Sequence, residues 1–213
     1  MNSPVLTTPI VYAATFKSDT QGNILYTNQM NMEENDLLPN PNVMVVSSKE
    51  DFKYQLLKSG NKLLSHDLLQ GKTYYFEDNI PNLIYEFSDE NKTHLGKTLY
   101  KVSTSFRGRN YILWYEKSDI SINPWKFYGI PGIVYEAYST DGKAKWELTH
   151  FSKSDEAFTN PFSEKIEFLS YELYPEKAFG LSEELKKQLS LNPFNTIKEQ
   201  PRNTLEIKFE WEK

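Results

Sequence analysis

The sequence predicts a mainly β protein: a single curved antiparallel sheet or partly closed barrel of about ten strands, with two short helices. Three observations lead there. Short runs of β-branched and aromatic residues alternate with polar ones between Gly, Pro, Asn and Asp signals. Aromatics make up 15% of the chain, Tyr alone occurring 14 times, which supplies the large side chains of one sizeable core. Helical spacing, by contrast, follows only two capping signals. At 213 residues, the whole chain, 1–213, reads as one domain.

In chain order, Ile10 to Phe16 reads as a first strand, Gln21-Gly22-Asn23 as a turn, and Ile24 to Met32 as the return. The polar, proline-containing link from Glu33 to Asn42 reads as a surface loop, and Val43 to Val46 as a short β-branched run. Ser48-Lys49-Glu50-Asp51 resembles a capping box, and Phe52, Leu56 and Leu57 keep helical spacing until Gly60, so a helix is expected there. Leu63, Leu64, Leu68 and Leu69 fit another helical turn or a strand. Further strands are expected at Thr73 to Phe76, Leu83 to Phe87, Lys97 to Phe106, Tyr111 to Tyr115, Ile133 to Ser139, Ala144 to Phe151 and Lys165 to Leu173. Ser182 caps a second expected helix, to Leu189, with Glu183 and Glu184 in its first turn. Thr204 to Trp211 reads as a last strand, with Leu205, Ile207, Phe209 and Trp211 on one face.

Asp141-Gly142 lies between two alternating runs and predicts a two-residue type I′ hairpin. In that register Ala137 opposes Trp146, Tyr135 opposes Leu148 and Ile133 opposes His150 on the apolar face. Tyr138 meets Lys145 and Glu136 meets Glu147 on the other. Adjacent carboxylates can split their pKa values and act as an acid/base pair. The simpler reading is a solvated face on which Lys143 and Lys145 neutralise them.

The stretch Ser121-Ile-Asn-Pro-Trp-Lys-Phe-Tyr-Gly-Ile-Pro-Gly-Ile-Val134 is punctuated twice. Ile130-Pro131-Gly132-Ile133 has the type II turn pattern, Gly129 permits a kink, and Asn123-Pro124 makes an earlier bend. Trp125 and Phe127, two apart, would share a face of a short strand. The stretch therefore reads as a structural corner; the functional alternative is an exposed loop gripping a partner with Trp125 and Tyr128. In Phe106-Arg-Gly-Arg109, Arg107 and Arg109 are expected on one strand face with Gly108 opposite, forking a carboxylate or phosphate or pairing with Glu116 or Glu136.

These stretches carry a resemblance. Tyr128-Gly-Ile-Pro-Gly-Ile-Val134 resembles the signature of the GLPGLI family, Bacteroidota proteins of unknown function. Lys101-Val-Ser-Thr-Ser-Phe-Arg-Gly-Arg109 matches the family's K-A-x-x-x-F-R-G-R run, Leu113-Trp-Tyr115 its aromatic strand, and Ile120-Ser-Ile-Asn-Pro-Trp-Lys-Phe127 the segment leading into the signature. The match runs in order from Gly96 to Trp146 and marks 96–151 as a family-like core. Ile130, Ile133 and Val134 replace the usual Leu, Leu and Ile, and Leu99 stands where a Cys is frequent. The resemblance implies a secreted, periplasmic or surface-exposed protein and no established activity. The chain itself opens without an export signal, so a signal already removed is one expectation and a cytoplasmic protein the other.

Composition narrows the functions. A net charge of −5, from 29 acids and 24 bases, argues against nucleic acid or an anionic membrane as the main partner. Nowhere do about 18 apolar residues run together, so no spanning helix is expected. The chain has no Cys, which removes disulfides and thiolate chemistry. His66, His94 and His150 lack ligand spacing, and no Gly-x-Ser-x-Gly, phosphate-loop or HExxH motif occurs, so no metal or cofactor is expected. The expected function is a non-enzymatic exported domain whose curved sheet carries or holds an apolar small molecule or a peptide. The alternatives are an interaction module docking a surface or processing partner through an exposed patch around Arg107, Arg109, Trp125 and Tyr128, and a hydrolase using Glu136 and Glu147.

Overall fold

The computed structural model describes residues 12–30, 53–181, 202 and 204–212. Within them two sheets stand where a single one was expected, and neither closes into a barrel. The first is a meander of β1 (Tyr12–Ser18), β2 (Ile24–Met30), β3 (Lys53–Ser59), β4 (Lys62–Leu69) and β5 (Lys72–Asn79). The second joins β6 (Tyr85–His94), β7 (Lys97–Phe106), β8 (Arg109–Lys117), β9 (Gly132–Ser139) and β10 (Lys145–Glu147). The short β11 (Leu169–Ser170) pairs with β5 in parallel and leads into a 3-10 turn, Tyr171–Leu173, and the helix α1, Tyr174–Phe179.

The meander explains why alternation read this chain well: β1–β2, β3–β4, β4–β5, β6–β7 and β7–β8 are antiparallel neighbours joined by short turns. Tyr26, Leu56 and Leu63 of the first sheet share one buried cluster with Val102, Phe106, Tyr111, Leu113, Val134 and Ala137 of the second. The strand at Lys53–Ser59 overturns the helix expected through Phe52, Leu56 and Leu57. Leu56 and Leu57 are both buried because this strand has neighbours over both faces, and adjacent buried leucines imitate helical spacing. Phe162 and Phe168 pack on Tyr75 from the outer side of the sheet, at ring distances of 6.3 and 6.1 Å. The expected loop 33–42, the run at Val43–Val46, the capping box at 48–51 and the helix Ser182 to Leu189 lie outside the described residues. The expected strand at Lys165 to Leu173 shrinks to β11, and that at Ala144 to Phe151 to β10.

The hairpin register is the expected one, with Tyr138, Ala137 and Glu136 opposite Lys145, Trp146 and Glu147. The turn differs. Ser139 and Ala144 close a four-residue loop, Gly142 N donates to Ser139 O at 3.0 Å, and only Gly142 of the Asp-Gly pair has positive φ. The faces differ too. A bulge where Trp114 faces Glu136 but Tyr115 faces Val134 skips Tyr135, so Val134 joins Ala137 in the main core. Ile133 and Tyr135 turn outward onto Leu99 and Trp114, and His150 is exposed.

Residues 121–134 are a corner held from inside. Buried Asn123 accepts from Ile130 N at 3.1 Å and donates to Ile130 O and Gly132 O at 3.3 and 3.2 Å. The Pro-Gly bend closes with Gly132 N on Ile130 O, a three-residue turn rather than type II. Trp125 and Phe127 do enter the same core, from a turn in which Trp125 has φ +52°, not from a strand. Trp125 is held there by stacking on Trp146 at 5.5 Å. Gly132 has φ +147°, and a Cβ there would come 2.0 Å from Glu116 O in β8.

Gly132→Ala is therefore expected to destabilise by more than about 3 kcal/mol or to prevent folding. Gly142→Ala, with open space around it, is expected to cost about 1 kcal/mol, both read by urea denaturation.

Candidate functional site

The Phe106-Arg-Gly-Arg run is a hairpin turn. Phe106 faces Arg109 as the last pair of β7 and β8, and Arg107 and Gly108, with φ +41° and +88°, form the two-residue tip. The two arginines therefore leave different positions of a turn, not one strand face. Lys126 projects from the Pro124–Phe127 turn, and Asp78 from the end of β5. These groups converge on residues 204–212, which form no strand. The alternation of Leu205, Ile207, Phe209 and Trp211 misled because Glu206, between two of them, is itself buried.

Glu206 is the hub. Arg107 Nη1 donates to it at 2.6 Å, Lys126 Nζ to both its oxygens at 2.9 and 3.0 Å, and the Tyr171 hydroxyl also donates to it. Asp78 Oδ2 lies 2.9 Å from Arg107 Nη1 and 3.7 Å from Lys126 Nζ, a second counter-ion. Arg107 Nε meets the exposed Glu210 at 3.2 Å. The side chains of Arg107, Lys126 and Glu206 are 3%, 1% and 6% exposed, so these charges work in a low dielectric, where pairing decides whether they are tolerated.

Aromatic faces line the same space. Arg107 lies 4.8 Å from the Tyr171 ring, 5.1 Å from Phe106, 5.3 Å from Phe209 and 5.0 Å from Trp211, and Lys126 lies 4.2 Å from Tyr171. The ionic group thus separates the main core from a second aromatic cluster of Phe76, Tyr171, Tyr174 and Phe209.

The segment's backbone is held as well. Arg109 Nε and Nη2 donate to Thr204 O at 3.1 and 2.6 Å, and the Tyr111 hydroxyl donates to Leu205 O at 3.0 Å. Ile207 N and Lys208 N both donate to Arg107 O, at 2.9 and 3.1 Å. A Cβ on Gly108 would meet Ile207 Cγ1 at 2.7 Å, so this glycine serves the tip and the close approach of the segment together. Within the segment, Arg202 grips Glu212 through two contacts of 2.5 Å.

Charges set the proton affinities. Burial pushes the Glu206 carboxyl up, but Lys126, Arg107 and the Tyr171 hydroxyl outweigh it and hold it below the ordinary carboxylate value. Burial works against the Arg107 cation, and Glu206 and Asp78 more than offset it. Burial raises the phenols of Tyr54 and Tyr171 well above ordinary, with Glu206 adding to the effect. Asp67, beside the cluster, is raised to about 6, chiefly by burial, against a hydrogen bond from the Tyr174 hydroxyl at 3.2 Å.

The residues expected at a binding site are thus all present here or nearby, turned inward. Arg107, Arg109 and Trp125 are buried, and Tyr128 is half-buried with its backbone carbonyl on the Tyr85 hydroxyl at 3.1 Å. Among the described residues, these four form no flat exposed patch. The arginines pair with Glu206, Asp78, Glu210 and Asp141 rather than with Glu116 or Glu136. Sequence reasoning missed Lys126, Asp78, Glu206 and Tyr171. Only Lys126 left a signal, a lysine between Trp125 and Phe127 inside the family-like segment. Glu136 and Glu147 do sit side by side, with Lys145 Nζ 3.6 and 3.1 Å away and Lys92 on Glu136. Burial favours the neutral Glu136 acid, but Lys92 and Lys145 win and lower its pKa, the opposite of a general acid's tuning.

Among the described residues no group of three His, Asp or Glu is placed to hold a metal, and no helix is long and apolar enough to cross a membrane. Two surface depressions are small. One of about 250 Å³ lies between Phe87, Tyr100, Tyr115 and Lys117, and one of about 160 Å³ between Thr15, Leu25, Gln55 and Phe158. No family model, no curated protein and no solved structure matches the chain.

Because Asp67 has a raised folded-state pKa, its contribution to stability is full below about pH 4 and is lost as pH rises through 6. Asp67→Asn is expected to flatten the stability profile across that interval and to add about 1–3 kcal/mol at neutral pH, measured by urea denaturation at a series of pH values.

Proposed function

We propose that the chain is an exported, non-enzymatic binding protein of the GLPGLI type, whose signature segments build a seat for a peptide. The observation that carries this is the convergence of Arg107, Arg109 and Lys126, all from the family-like stretches, on residues 204–212. Turn tips and corners have pointed their cations inward to one carboxylate and to a run of backbone groups. That is the chemistry of holding a peptide, with charge for an anchor and main-chain bonds for the rest.

A peptide suits the interior better than an apolar small molecule. Leu56, Leu63, Val102, Tyr111 and Leu113 meet between the sheets with 0% exposure, and the depression beside Phe87, about 250 Å³, is below the roughly 300–1,000 Å³ of common ligand pockets. The periplasmic or secreted location follows from the resemblance alone.

Native mass spectrometry of the protein purified from its own organism tests this reading. The expected spectrum contains a reproducible adduct that fragments as a peptide. A lipid adduct, or the bare chain alone, contradicts it.

A further inference from the structure

Residues 204–212 occupy their seat in the manner of a ligand. They add no strand to either sheet, and their attachment is the buried Glu206 carboxylate, Glu210 at the rim, the side chains of Leu205, Phe209 and Trp211 and a few main-chain bonds. Resting on the peptide-holding reading, we infer that this segment is a replaceable occupant. The seat recognises an acidic, aromatic segment of another protein, which binds by displacing the chain's own.

Charge balance argues first. Arg107, Arg109 and Lys126 have side chains 3%, 4% and 1% exposed; among the described residues of the body, Asp78, at 10%, is the buried carboxylate that pairs with Arg107 and Lys126, and Asp67 lies beside the cluster. Asp141, on Arg109, is 45% exposed. The remaining counter-charge is Glu206, with Glu210 at the rim, and both belong to the segment. Any occupant that buries these cations as residues 204–212 do must bring a carboxylate to this point.

Geometry then sets the pattern. The carboxylate of Glu206 is followed three and five residues later by Phe209 and Trp211, which pack 5.2 Å apart into the cluster of Phe76, Tyr171 and Tyr174. Main-chain bonds from Arg109 and Tyr111, and to Arg107 O, read no side chain and would hold any backbone that takes the same bent course. Lys208 is exposed and sets no requirement. The recognised pattern is an acid, two positions of which the second is free, an aromatic, an acid at the rim and a second aromatic.

The test uses the full chain and a fluorescein-labelled synthetic peptide spanning residues 202–213, followed by fluorescence anisotropy. Saturable binding is expected, at least about tenfold weaker for a peptide carrying Glu206→Ala, and absent for a scrambled peptide. The full chain carrying Trp211→Ala grips its own segment less firmly, so it is expected to bind the unmodified peptide several-fold more tightly, by mass action. Absence of binding, or equal binding of the Glu206→Ala peptide, overturns the inference. If the Trp211→Ala chain does not fold, the titration of the unaltered chain decides alone. A concentration-dependent dimer that the peptide dissolves would make a second copy the occupant and would overturn the assignment to another protein. A native peptide adduct together with failure of this titration leaves the holding role standing and removes the exchange.

Discussion

The contact on which the molecule turns is the buried one between Glu206 and the pair Arg107 and Lys126. Removing one member would strand a charge in a medium that solvates it poorly, so each fixes the others in place. The β7–β8 tip must present Arg107, the corner must present Lys126, and residues 204–212 must run close enough over Gly108 to deliver the carboxylate. Such a cluster adds little net stability over a well-packed apolar equivalent. Its worth lies in specificity: only one arrangement of three distant stretches satisfies all the charges.

The aromatic surround follows from the same constraint. A buried cation whose hydrogen bonds are used on one side still presents a charged face elsewhere, and the electron-rich faces of Tyr171, Phe209 and Trp211 meet it. This reconciles a high aromatic content with a core that contains ions. It also explains why Trp125 tolerates an unfavourable backbone angle: its ring belongs to the wall of Phe106, Tyr111, Phe127 and Trp146, which leaves it no other place.

Alternation made the strands from Lys97 to Ser139 legible, and the Asp-Gly signal gave the correct pairing of Ala137 with Trp146 even though the turn is longer than expected. Period-two reasoning then failed wherever a non-local partner intervened. The bulge at Tyr135 exchanges faces midway along β9, and nothing in the local sequence marks it. Leu56 and Leu57 looked helical because a strand buried on both faces loses its alternation. Residues 204–212 alternate like a strand, yet Glu206, which a strand would have put in water, is the buried hub of their attachment. Arg107 and Arg109, expected to fork an anion or to pair with Glu116 or Glu136, are spent instead on Glu206, Asp78, Glu210, Asp141 and the Thr204 carbonyl. Their partners, Glu206, Asp78 and Thr204, lie far along the chain, and sequence spacing holds no information on such pairings.

A double-mutant cycle between Lys126 and Glu206 tests the central contact most directly. Lys126→Met, Glu206→Leu and the double variant would be compared with the parent by urea denaturation. A coupling of about 2 kcal/mol or more is expected, the double variant being less damaged than the two single losses together. Losses that add to within about 0.5 kcal/mol would mean that the two charges do not hold each other, and the seat would lose its physical basis.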